Sequence, residues 1–240
     1  MWHIRVRQAA LAAAIFSFVV LFAAIALAQQ SQSGYLDKRQ NAPGQFDFYV
    51  LALSWSPSYC AELRERGSSR RPDPQCGRPL AFVVHGLWPQ YERGFPSYCQ
   101  VPAPRLDRTQ ISGALDLMPS PGLVIREWDR HGTCSGLSPA AYFDTARKAR
   151  AAVKIPEEYL DPAAPVSVAP DAVADAFVKA NPGLARDDMA VTCDRTRLTE
   201  VRLCIAKDFS FHACPDVARR NCSRDKVEIP AVHSEHAEAQ

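Results

Sequence analysis

The sequence has little net charge of either sign. Its formal charge is +2 over 240 residues, and setting aside Arg5 and Arg7, which lie in a segment expected to be removed, leaves 26 basic against 26 acidic residues. That balance excludes a protein that holds nucleic acid through a global basic field, so any such affinity must come from a local site. C-x-x-C spacing is absent among the eight cysteines, which argues against a zinc ribbon or a thiol redox motif. There is no internal repeat, and no carboxylate cluster resembling a two-metal site. Histidine is scarce: of six, His3 lies in the leader, His233 and His236 in the C-terminal tail, and His212 beside Cys214, which leaves His85 and His131.

Hydrophobic content of 47% and charged content of 22% are ordinary for a folded soluble protein, and the length suits a single domain with a real core. Residues 1–28 read as a secretory signal: Arg5 and Arg7 form the basic start, an apolar run follows, and Ala26-Leu27-Ala28 is the small-residue cleavage pattern. The apolar run is long enough for a transmembrane anchor, but the polar "QQSQSG" after Ala28 favours cleavage. Export fits eight cysteines that all follow the leader: Cys60, Cys76, Cys99, Cys134, Cys193, Cys204, Cys214 and Cys222. Four disulfides are expected, with about 105 connectivities open from spacing alone.

Residues 29–44 read as a flexible lead-in. "FDFYVLALSW" (Phe46–Trp55) is a buried strand candidate, and "SPSYC" ends it. The charged span after it reads as a surface excursion stapled by Cys60 and Cys76. "AFVV" (Ala81–Val84) is a second strand that runs into "HGLWPQ". Ser120-Pro121 and Ser138-Pro139 are helix starts, with serine as cap and proline at the first helical position. The first helix should run to about His131 and stop at Gly132. A third helix is expected over Ala169–Ala180, followed by strands in "MAVTC" and "LTEVRLCIAKDF". Strands and helices mix without regular alternation, which predicts an α+β fold: a single disulfide-stapled domain over 45–225, with helices around an antiparallel-rich central sheet. Residues 226–240 read as a polar tail.

Two segments carry chemistry. In "REWDRHGTC" (Arg126–Cys134), helical geometry puts Glu127, Arg130 and His131 on one face, with Val124, Ile125 and Trp128 on the adjoining face as the anchor to the core. Alone, this is equally an exposed ion-pair face, with His131 favoured by the helix C-terminus. In "AFVVHGLWPQ", His85 sits at the mouth of an apolar strand, Gly86 permits a sharp turn, and Trp88 follows where loops usually go polar. Alone, His85 is a satisfied strand-end histidine and Trp88 a core residue. Two such constellations together in one exported, disulfide-rich chain are much less expected by chance.

"FVVHGLWPQ" and "REWDRHGTC" resemble, in that order, the two signature segments of the ribonuclease T2 family. "LSWSPSYC", "GFPSYC" and "LTEVRLC" resemble family segments as well, so the similarity covers roughly 45–225. The resemblance implies a secreted or periplasmic endoribonuclease that cleaves single-stranded RNA by transesterification through a 2′,3′-cyclic phosphate, without cofactor or metal and without cleaving DNA. It also implies a monomer with no stable membrane association once the leader is removed. His131 is then the base, His85 the acid, Arg130 a fixed cation near the phosphate, and Glu127 either an orienter of a histidine or, if protonated, a donor to the phosphoryl group. Trp88 offers a face for base stacking, and Gln90 and Tyr91 are candidates for base contact or for loop packing. The chain departs from the family in having Arg126 where a third histidine is common and Arg130 where lysine is common. Arg130 keeps its charge, whereas Arg126 does not titrate near neutrality but is still able to bind phosphate. The disulfides implied are Cys60–Cys76, Cys99–Cys134, Cys193–Cys222 and Cys204–Cys214. Two rival readings are a catalytically weak RNA-binding protein on the same fold and a metal site using His85 and His131, which lacks an obvious third ligand.

Overall fold

The computed structural model describes residues 41–67 and 73–232. The expected leader, most of the lead-in and residues 233–240 of the expected tail lie outside that range. A four-stranded sheet, antiparallel at every pairing, organises the fold: β1 (Phe48–Trp55), β2 (Phe82–Gln90), β4 (Met189–Cys193) and β5 (Leu198–Ile205), in the order β2-β1-β5-β4. A short strand β3 (Val166–Val168) pairs with β6 (Val227–Ile229) in a second sheet. The helices are α1 (Ser56–Glu65), α2 (Arg108–Ser112), α3 (Pro121–Arg130), α4 (Pro139–Ala151), α5 (Pro170–Ala180) and α6 (Pro215–Ala218).

β1 is a near-continuous apolar run because both of its faces are covered. Its odd positions Tyr49, Leu51, Leu53 and Trp55 enter the main core with Leu87, Val124, Trp128, Tyr142 and Phe177. Its even positions Phe48 and Val50 enter a smaller cluster with Ala190, Cys204, Cys214 and Val217, against which Trp88 packs. Along that second face the register sets Val50 beside Trp88 and Cys204, Ala52 beside Gly86 and Arg202, and Ser54 beside Glu200. Small residues at Ala52, Ser54 and Gly86 leave room above this part of the sheet, and polar groups occupy it.

Four disulfides are present, joining Cys60 to Cys76, Cys99 to Cys134, Cys193 to Cys222 and Cys204 to Cys214, the pairs that the resemblance implies. Cys134 is clamped further, since the Gly44 amide donates to its carbonyl at 2.9 Å. Gly136, at φ +74°, makes the close approach to Gly44 possible: a Cβ there would stand 2.9 Å from the Gly44 Cα.

Several expectations are corrected. The span after Cys60 is not simply an excursion, because Ser56–Glu65 is helix α1 with Pro57 in its first turn. β2 does not end at Val84 but runs through "HGLWPQ" to Gln90. Ile125 is 41% exposed, and Leu123 takes its place beside Val124 and Trp128 in anchoring α3. The domain extends at both ends: Gly44 is hydrogen-bonded into it, and Val227, Ile229 and Ala231 are buried beyond residue 225. The Trp55 indole donates to the Pro230 carbonyl at 3.0 Å, which ties that last segment to the sheet.

Candidate active site

A β-bulge places the first histidine. The register of β1 with β2 pairs Leu53 with Val84 and Ala52 with Gly86, so His85 is the extra residue between them. A bulge re-aims a side chain without ending the strand. Gly86 therefore makes no sharp turn. Its role is clearance: a Cβ there would lie 2.1 Å from Glu127 Oε2 and 2.3 Å from Trp88 Nε1. The Glu127 carboxylate rests directly against the bare backbone of the strand.

Helix α3 delivers the other half. Val124 and Trp128 bury one side, and the Trp128 indole donates to the Pro104 carbonyl at 2.8 Å, so the helix is held firmly. Glu127 and His131 share a face one turn apart, and the His131 amide still donates to the Glu127 carbonyl at 2.9 Å. Both side chains are buried. The Trp88 indole N–H donates to Glu127 Oε2 at 2.7 Å. The Trp88 ring stacks on His131 with centroids 5.2 Å apart and meets His85 edge-on at 5.3 Å. His85 Nε2 lies 3.5 Å from Glu127 Oε1. One indole and one carboxylate thus link the two histidines.

A residue that the sequence reading missed completes the arrangement. Glu200 on β5 accepts from His85 Nδ1 and from Ser54 Oγ, the latter at 3.2 Å. Its other oxygen accepts two bonds from Arg202, at 2.9 and 2.7 Å. The Arg202 guanidinium lies 5.2 Å from the Trp88 ring centroid. A signal for this pair exists in "LTEVRLC": Glu200 and Arg202 stand two apart as the charged residues of a largely apolar strand, so they share one face.

The environments push the two imidazoles in opposite directions. Burial, reinforced by the charges of Arg130 and His85, lowers the pKa of His131 to about 3. Burial also opposes charge on His85, but the Glu200 hydrogen bond and the charges of Glu200 and Glu127 outweigh it, and its pKa is raised. Burial raises the pKa of Glu127 despite His85 and the Trp88 donor. At Glu200 burial favours the acid, yet His85 and Arg202 hold its pKa down to about 2. His131 is therefore neutral and His85 cationic over the same pH range.

A cavity of about 70 Å³ opens beside His85, lined among others by Ser54, Tyr59, Gln75, Ser120 and Arg126. Arg126 is thus brought to the site. Arg130 is exposed at the end of α3, where its carbonyl accepts from the Tyr98 amide at 2.9 Å. His131, His85 and Arg202 lie against the partly buried Trp88 indole. Gln90 and Tyr91 are buried at the end of β2. Among the described residues, no group of three or more His, Cys, Asp or Glu side chains is arranged to hold a metal ion, and no helix is long and apolar enough to cross a membrane.

The "Ribonuclease" of Aeromonas hydrophila is 47% identical over 108 residues, 45% of this chain and 46% of that protein, so the match spans about half of that relative's length. "Ribonuclease DdI" of Dictyostelium discoideum is 27% identical over 232 residues, covering 88% of this chain and 97% of its own. The crystal structure of RNase NT in complex with 5′-AMP superposes with a TM-score of 0.60 at 26% identity, over 78% of this chain and 99% of that one. The family model described as "Ribonuclease T2 family" matches residues 46–214, a span that contains both histidine segments and the Glu200 strand. The chain belongs to the ribonuclease T2 family.

Proposed function

We propose that this chain is an endoribonuclease that cleaves single-stranded RNA by transesterification, in the periplasm or outside the cell. The observation that carries the reading is a pair of histidines packed against one indole, whose N–H holds the carboxylate beside His85. Neutral His131 takes the 2′-OH proton as that oxygen attacks phosphorus. The P–O5′ bond breaks, and cationic His85 gives its proton to the departing oxygen. The products are a 2′,3′-cyclic phosphate and a free 5′-hydroxyl. Each proton transfer is worth ~10²–10⁴-fold. Arg130 and Arg126 supply fixed positive charge for the extra negative charge on the phosphoryl oxygens. Glu127, with its pKa raised and its Oε2 held by Trp88, keeps the two rings in register and shares charge with His85.

In this mechanism, a chain without a 2′-OH has no nucleophile, so DNA is not a substrate. No step needs a metal or cofactor, and a monomer suffices. The required proton states coexist from mildly acid to neutral pH, and activity falls as pH rises through the pKa of His85. The test is digestion of RNA and DNA by the purified protein in EDTA, with His131→Ala and His85→Ala alongside. RNA cleavage by the wild type alone is expected. Comparable cleavage of DNA, full loss of activity on chelation, or near-normal turnover in His131→Ala would overturn the mechanism.

A further inference from the structure

We propose that Glu200 is a positioning residue for the proton-donating step, holding His85 by Nδ1 so that Nε2–H is the bond offered to the leaving oxygen. This rests on the ribonuclease reading above and adds to it a residue from a different strand.

The geometry has four parts. First, Glu200 reaches His85 from β5, 115 residues away in sequence, with its side chain buried. Second, both of its oxygens are committed, one to His85 and Ser54 and the other to Arg202, so the carboxylate has no freedom to rotate away. Third, an acceptor at Nδ1 keeps the proton on that nitrogen and leaves Nε2 as the exchanging position. Nε2 faces the Glu127 carboxylate at 3.5 Å, on the side where α3 presents His131. Fourth, Arg202 lies against Trp88, whose N–H holds Glu127, so the orientation of the acid is tied to that of the base.

The charged and titratable groups around His85 are Glu200 and Arg202 from β5, Glu127, Arg126 and His131 from α3 and its end, and Tyr59 from α1 across the cavity; Arg130 acts on His131 and Glu127. Glu200 is the anion in direct contact with Nδ1, and Arg202 opposes it at one remove. The competing role for Glu200 is a structural partner of Arg202 in which His85 is incidental. The two roles separate by experiment.

Glu200→Gln, Glu200→Asp, His85→Ala and wild type are compared for kcat/KM against pH on two substrates. One is an RNA dinucleotide, whose alkoxide leaving group needs a proton. The other is a nucleoside 3′-(4-nitrophenyl phosphate), whose nitrophenolate leaves without one. For Glu200→Gln, the dinucleotide rate should fall ~10–100-fold, no more than the lower end of the ~10²–10⁴-fold that a general acid contributes, because the acid itself is kept. Its alkaline limb should move to lower pH, because the imidazolium has lost its contacting anion. The loss on the nitrophenyl substrate should be much smaller, and Glu200→Asp should restore the limb. Equal losses on both substrates, or an alkaline limb that does not move, overturns the positioning role. If His85→Ala is inactive while Glu200→Gln behaves as wild type, the positioning role falls and the ribonuclease reading stands. If His85→Ala retains wild-type activity on the dinucleotide, both fall.

Discussion

Gly86→Ala probes the packing at the centre of the site with a single methyl group. Gly86 lies within β2 opposite Ala52 and is not among the glycines of positive φ. Alanine is thus conformationally acceptable there, and strand preference alone would favour it by ~0.5–1 kcal/mol. The new Cβ, however, would stand 2.1 Å from Glu127 Oε2, where ordinary contact begins near 3.4 Å, so the carboxylate must retreat by about 1.3 Å. It cannot do so freely, being buried and held at 2.7 Å by Trp88, whose Nε1 would itself stand 2.3 Å from the new Cβ and whose ring already has His131 and Arg202 against it. Losing a hydrogen bond to a charged acceptor costs ~1.5–3 kcal/mol, which exceeds the gain in strand preference. A displacement of about 1 Å in a catalytic constellation costs ~10²-fold, or ~2.7 kcal/mol of transition-state stabilisation. The variant should therefore fold with a modestly lower Tm and lose ~10²-fold in kcat/KM. Circular dichroism melting and dinucleotide kinetics on the same preparation measure both. A Gly86→Ala protein that is more stable than wild type, or equally active, would refute the packing of Glu127 against the strand or its importance to turnover.

Two further outcomes follow from the same structure. His131 has a pKa of about 3 in the folded chain against 6.5 ordinarily, so the unfolded chain binds the extra proton between those values. A depressed histidine pKa means that stability is lost as pH falls below 6.5, at ~1.4 kcal/mol per pH unit. Urea unfolding between pH 4.5 and 7 should show this slope in wild type and a shallower one in His131→Gln; identical slopes would contradict the burial of a neutral ring. Glu200 acts in a separate window, since its folded pKa of about 2 gives stability that is present above 4.5 and lost as pH falls toward 2. The Cys99–Cys134 bridge closes a loop of 35 residues, for which chain entropy predicts a loss of ~4 kcal/mol on removal. Because Cys134 follows His131 by three residues, Cys99→Ser/Cys134→Ser should also lose more activity than Cys60→Ser/Cys76→Ser at a temperature where both are folded. Equal activity losses would separate that clamp from the site.

The parts of the fold legible in the sequence were those with strong local signals. Ser120-Pro121 and Ser138-Pro139 both open helices, and the apolar run ending at Trp55 is a central strand. Helix α1 escaped because its buried residues are Ser56, Ser58 and Cys60, which form no apolar stripe. β6 escaped because three residues between Lys226 and Pro230 look like tail until β3 is there to pair with them. At the site, the two motifs identified His85, Glu127 and His131, which the structure brings around Trp88. The function of Gly86 was misread because glycine after a strand ordinarily means a turn, and clearance for Glu127 depends on a helix 40 residues on. Glu200 was missed for the same reason: "LTEVRLC" marks it as a polar residue in a strand, but its partner is 115 residues away, and only the β1–β5 register sets it beside Ser54 and within reach of the bulge.

The most direct measurement is the fate of the phosphate. Phosphorus NMR of an RNA dinucleotide incubated with the protein in EDTA should show a 2′,3′-cyclic phosphate accumulate, and the analogue lacking the 2′-OH at the scissile linkage should stay intact. Cleavage of that deoxy analogue, or a linear phosphate formed with no cyclic intermediate, would contradict the two-histidine transesterification.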